Sequence, residues 1–122
     1  MSLESYKQLI VWQKSIDLAQ EVYILTEHFP KNELYGLTSQ MRRSAVSIAS
    51  NIAEGSRRKD IPEYLHFLRI ADGSSAELET QITIAKRIYP DVVYVKADGL
   101  ITEVQKMLDQ VKIGLASKRG GK

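Results

Sequence analysis

Few residues in this chain of 122 could do chemistry, since it contains no cysteine and two histidines. The nearest approach to a metal-ligand pattern is Glu63 with His66, a Glu-x-x-His pair of the kind that di-iron helix bundles use twice. Such a centre also needs a second pair and inward-facing glutamates, whereas Glu63 and His66 project away from the Tyr64, Leu68, Ala71 stripe of their segment. An exposed capping glutamate and a surface histidine are the plainer reading, so no metal and no cofactor are expected. His28 ends a helical segment, where an imidazole suits the C-terminal helix dipole better than general-base work. Ser44, Ser47 and Ser50 have no partnered base in sequence and fit small residues that permit close helix contact. No phosphate loop or dinucleotide glycine pattern occurs. No enzymatic activity is expected.

Two polar groupings remain. Asn51 lies beside the Ile48 and Ile52 stripe, where an amide must find hydrogen-bond partners or cost a few kcal/mol. A structural polar network between the second and third helices would satisfy it, with Glu54 and Glu77 either joining that network or pairing with nearby arginines. The second grouping is the basic cluster Arg42, Arg43, Arg57, Arg58 and Lys59, the candidate nucleic-acid-binding residues. Arg43 and Arg57 fall on nearly one helical face two heptads apart and can follow a phosphate backbone, with Arg58 and Lys59 extending the patch. Solvated charge, or ion pairing with the acidic third helix, is the alternative. The cluster has no interleaved aromatic residues, so backbone contact without base reading is the expectation.

These residues must be positioned by helices. Pro30, Pro62 and Pro90 divide the chain into four segments, each with helical rather than alternating periodicity. Helices are expected at roughly 6–28, 34–55, 61–88 and 96–117, with a frayed tail at 118–122. In the first, Trp12, Ser15, Ile16, Ala19, Val22, Tyr23 and Thr26 form the stripe. The second closes at Gly55, read as a left-handed C′ position. The third starts at Asp60 as N-cap, with Pro62 in the first turn and Glu63 completing a capping box. Its stripe reads Tyr64, Phe67, Leu68, Ala71, Ser75, Leu78, Ile82 and Ala85, and that of the fourth Leu100, Val104, Leu108, Val111 and Leu115. Helices of this length on short connections pack most simply as an all-α, antiparallel up-down-up-down four-helix bundle, a single domain.

The second helix carries more apolar and small-residue surface than one core requires. Leu37, Met41, Ala45, Ile48 and Ile52 share one face, while Val46, Ala49, Ser50 and Ala53 lie on or near the other. That second face is the expected homo-oligomer interface. With 43% hydrophobic and 26% charged residues the composition is that of a globular protein, not a disordered or fibrous one. A net charge of +2 does not announce nucleic-acid binding by itself. Neither a signal-peptide pattern at the start nor an apolar run of membrane-spanning length is found, so a cytoplasmic protein is expected.

Val11-Trp12-Gln13-Lys14, Gly36-Leu37-Thr38-Ser39-Gln40-Met41-Arg42-Arg43, Ser47-Ile48 and Asn51-Ile52-Ala53-Glu54-Gly55 together carry a family likeness. Phe67-Leu68, Ile70-Ala71, Gly73-Ser74 and Glu77-Leu78-Glu79 extend it across the third helix. In these blocks the chain resembles the four-helix bundle family that includes proteins encoded in intervening sequences of bacterial 23S ribosomal RNA genes. It is similar also to the accessory variability proteins of diversity-generating retroelements. The resemblance implies a noncatalytic bundle assembled as a homopentamer, with nucleic acid, RNA or DNA, and a reverse transcriptase as partners in the retroelement branch. A protein-interaction scaffold that binds no nucleic acid is the alternative.

Overall fold

The computed structural model describes residues 5–120. Among them are four α-helices and no strand: α1 Ile10–Thr26, α2 Leu37–Ser56, α3 Ile61–Ile88 and α4 Val95–Gly120. Short 3₁₀ turns at Tyr6–Gln8 and Lys31–Glu33 precede α1 and α2. Each helix packs on its chain neighbours, and α1 also packs on α4, so the four surround one core. Side-chain pairs fix the directions. Lys86 meets Asp98 at 2.6 Å while Lys112 meets Asp72 at 2.9 Å, and Glu21 faces Lys96 while Lys14 faces Glu103. Arg42, early in α2, reaches Thr26 at the end of α1, and Gly55, late in α2, abuts Tyr64 and Phe67 early in α3. Neighbouring helices therefore run antiparallel.

Local chemistry explains the boundaries. Asp60 Oδ1 accepts from the Glu63 amide at 2.8 Å and caps α3, although the Glu63 side chain turns to Arg58 instead of reaching back to complete the box. The first helix is shorter than its periodicity suggests, because Leu9 is extended (φ −72°, ψ 126°) and separates the 3₁₀ turn from α1. At the other end the chain leaves α1 at Glu27 and buries Phe29 before Pro30. The tail expected to fray at 118–122 instead continues α4 through Lys118 to Gly120, and its last two positions lie outside the described residues. Nothing in that run stops a helix before the paired glycines.

The core is built from Leu18, Val22, Leu25, Met41, Ile48, Ile52, Leu68, Leu78, Ile82, Val104 and Leu108, among others. In α1 the buried stripe is Val11, Ser15, Leu18, Val22, Leu25 and Thr26, rotated by roughly 70° from the expected one at 100° per residue. Ile16 and Tyr23 consequently face outward. Apolar residues cover most of α1's circumference, and simultaneous packing on α2 and α4 selects the arc that turns inward.

Gly55 also serves a different purpose from the one its position near a helix end suggests. No glycine among the described residues has positive φ, and α2 continues through Gly55 to Ser56. A Cβ there would lie 2.8 Å from Phe67 Cβ and 3.3 Å from the Tyr64 carbonyl oxygen. The missing side chain lets α2 and α3 approach, and Ser44 and Ser74 line the same seam as small buried residues, while the buried Ser75 accepts from Gln105 of α4.

Candidate functional site

The α2–α3 seam holds the polar network, in altered membership. Asn51 Nδ2 donates to the Ser47 carbonyl at 2.8 Å and to Ser47 Oγ at 3.0 Å, and Ser47 Oγ shares a hydrogen with Ser74 Oγ at 2.8 Å. Glu54 does not join; it pairs with Arg58 at 2.8 Å. Glu77 lies on the exposed side of α3, by the cleft that Gln81 lines, and makes no bond with Asn51. The partner of Asn51 is therefore Ser47 of its own helix, and Ser47 in turn makes the link to Ser74 of the facing helix; sequence spacing marks both serines only as small residues.

The basic cluster divides by environment. Arg42 is committed to the fold: Nε donates to Thr26 Oγ1 at 2.9 Å, its guanidinium pairs with Glu27 at 2.9 Å, and it lies 4.5 Å from the centre of the Tyr23 ring. Arg58 is likewise held, between Glu54, Glu63 and the face of Phe67 at 4.7 Å. Arg43, Arg57 and Lys59 are exposed, and among the described residues none has an ion pair. Only these three keep their full charge for an outside partner. His66 is exposed against Phe67, the ring that Arg58 also meets.

The four residues assigned to an interface also separate. Val46 is 43% exposed, Ser50 is exposed and Ala53 is half-buried, so they form an outward strip along α2. Ala49 is 6% exposed and belongs to the packed interior. At 100° per residue it lies on the same flank as Thr38 and Ala45, inside the arc that the bundle buries.

The connection before α2 adds residues that periodicity did not single out. Tyr35 is 94% exposed and Leu34 48% exposed, in the connection before α2. With Tyr23 and Val46 they line a groove of about 480 Å³ whose rim carries Arg42 and Arg43. Their signal in the sequence is two adjacent large apolar residues between Glu33 and Gly36, at the expected start of the second helix, where spacing alone does not show that they stay outside it. Glu33 anchors that loop. Its carboxylate accepts from the Leu37 amide at 3.2 Å and from the Tyr89 hydroxyl, and Gly36 leaves the space these oxygens occupy. The Tyr89 and Leu37 hydrogen bonds hold the Glu33 carboxyl below its ordinary value, and the same carboxylate pushes the Tyr89 hydroxyl up. Tyr35 thus projects into solvent from a loop fixed at both ends. Among the described residues no helix is long and apolar enough to cross a membrane.

Comparison with known proteins agrees with this architecture. The 23S rRNA-intervening sequence protein family matches residues 7–110, and the chain belongs to that family. A protein of unknown function from the S23 ribosomal protein family of Bacteroides thetaiotaomicron has the same fold, with a TM-score of 0.74 at 22% sequence identity, covering 84% of this chain and 98% of its own. No curated protein gives a significant match.

Proposed function

We propose that this member of the 23S rRNA-intervening sequence protein family is a noncatalytic homo-oligomeric bundle that associates with RNA or DNA through phosphate contacts. The observation that carries the reading is the outer face of α2. It sets Val46, Ser50 and Ala53 beside Arg43 and Arg57, with Lys59 just past its end, and among the described residues no carboxylate pairs with these three cations. Small side chains there suit close approach by a second copy, and the family resemblance makes a pentamer the expected assembly. Repetition of three free cations around a ring would multiply weak contacts by avidity. Arg43 and Arg57 lie 14 residues apart, roughly 21 Å along the helix, which gives each protomer a track and not a pocket. If the gene lies in a retroelement, a reverse transcriptase is a further partner, as the resemblance to accessory variability proteins implies.

Salt-dependent binding tests this reading. Dissociation constants in the range of about 10⁻⁴ to 10⁻⁶ M, or tighter through avidity, are expected for RNA and DNA. Replacing Arg43, Arg57 and Lys59 together with Ala should reduce the slope of log affinity against log salt by about 2 to 3 per engaged protomer while oligomeric state is kept. Arg42→Ala should act mainly on stability, because that side chain is already bonded to α1. Absence of binding to either nucleic acid at low salt would leave a protein-interaction scaffold as the better account.

A further inference from the structure

We infer that the surface around Tyr35 is a stacking platform for unpaired nucleotides, so that the nucleic acid this protein prefers is single-stranded. The inference rests on the nucleic-acid reading above and specifies which form is bound. A phosphate track alone gives no preference for a single strand over the more densely charged duplex. Tyr35 changes that, because its ring is 94% exposed and stands where two clefts meet. On one side is the apolar groove of about 480 Å³ formed with Tyr23, Leu34 and Val46. On the other is a polar cleft of about 440 Å³ that reaches Gln81 on α3.

Both clefts are edged by Arg43, one of the three residues of the basic cluster without an ion pair among the described residues. The juxtaposition provides what an unpaired nucleotide offers contacts for: an aromatic face for the base and a free guanidinium for its phosphate. Gln81 also lines the polar cleft, and its Oε1 is buried with no hydrogen-bond partner among the described residues, so a turn of that amide toward the cleft would offer it to the ring or exocyclic N–H groups of a base. Buried acceptors of that kind are normally satisfied. Base faces and edges are free in a single strand and are consumed in a duplex, where only the grooves and backbone remain accessible.

The test is fluorescence anisotropy of the intact protein with four labelled probes of equal length: a single-stranded RNA, a single-stranded DNA, a blunt duplex and an abasic single strand of the same charge. Both base-bearing single strands are expected to bind at least several-fold more tightly than the duplex or the abasic strand. Tyr35→Ala should weaken binding of the base-bearing strands by roughly 5- to 100-fold with an unchanged salt slope, and Tyr35→Phe should retain it. Because the ring is almost wholly in solvent, its truncation removes no core contact. Equal binding of the abasic strand or the duplex, or an unchanged affinity in Tyr35→Ala, would overturn the platform while leaving the phosphate-track reading intact. Dissociation of the oligomer by Tyr35→Ala would assign the ring to a contact between copies and overturn it too. Failure of all four probes to bind would instead overturn the nucleic-acid reading itself.

Discussion

At the scale of single residues, the carboxylate of Glu33 joins three parts of the molecule by accepting from the start of α2 and from Tyr89 beyond the end of α3. Its lowered pKa makes this junction pH-dependent. The contribution is fully present above the ordinary carboxyl value of 4.5 and is lost as pH falls through the lower folded value. Tyr89 titrates in the opposite range. Its raised pKa means that its contribution is intact below 10.0 and is lost as pH rises from there through the folded value. Tyr89→Phe should therefore destabilise the protein at neutral pH, and the gap from wild type should close at both extremes. Urea titrations at several pH values measure this, and a gap independent of pH would show that the hydrogen bond contributes no proton linkage. Arg42 makes a related point about reading sequence. Five basic residues look alike in a string, yet Thr26, Glu27 and Tyr23 engage Arg42 while Arg43 beside it remains free.

At the scale of elements, the helices were legible from proline positions, glycine positions and apolar spacing, but the faces they bury were legible only in part. Most of the stripes expected in α3 and α4 turn inward, although Tyr64, Phe67, Val111 and Leu115 are only half-buried and Leu65 and Ile101 are buried besides them. The stripe of α1 is flanked by further apolar residues, so its rotation toward Leu18 and Leu25 is decided by partners far along the chain. The candidate site suffered from the same limit, since exposure of Tyr35 and the engagement of Arg42 by Thr26 and Glu27 are tertiary facts, whereas the Arg58 pair with Glu54 is four residues apart on one helix and was open to sequence. Gly55 shows the difference between a local and a tertiary reason for one residue type. Gly55→Ala gains up to about 1 kcal/mol of helix propensity. The new Cβ nevertheless cannot swing away from Phe67 Cβ or the Tyr64 carbonyl, and overpacking costs about 1–3 kcal/mol, so net destabilisation is expected. Gly73→Ala in α3 meets nothing within 4 Å and should stabilise by about 0.5–1 kcal/mol. Melting temperatures moving in opposite directions would bear this out. Asn51→Leu should cost only about 1 kcal/mol, because its bonds run to Ser47 on its own helix and both residues are incompletely buried.

At the scale of the whole molecule, the question is whether the outer strip of α2 can be separated from the bundle that presents it. Val46 and Ala49 are three residues apart on one helix, yet the first is 43% exposed and the second 6%. A charge at each position therefore acts on different equilibria. Val46→Glu places its carboxylate in water in the isolated protomer, which costs the fold little, but in a packed contact between copies the same carboxylate lies unpaired and desolvated. Assembly should weaken sharply while helicity and the unfolding midpoint of the protomer stay near wild type. Ala49→Glu forces a charge into the interior of the bundle, where an uncompensated carboxylate costs about 3 kcal/mol or more, so the protomer itself should unfold at markedly lower denaturant. Light scattering paired with circular dichroism reads both quantities. A wild-type protein that is monomeric at micromolar concentration, or a Val46→Glu variant that assembles as wild type does, would exclude the outer face of α2 as the contact and leave its small residues without a partner to explain them.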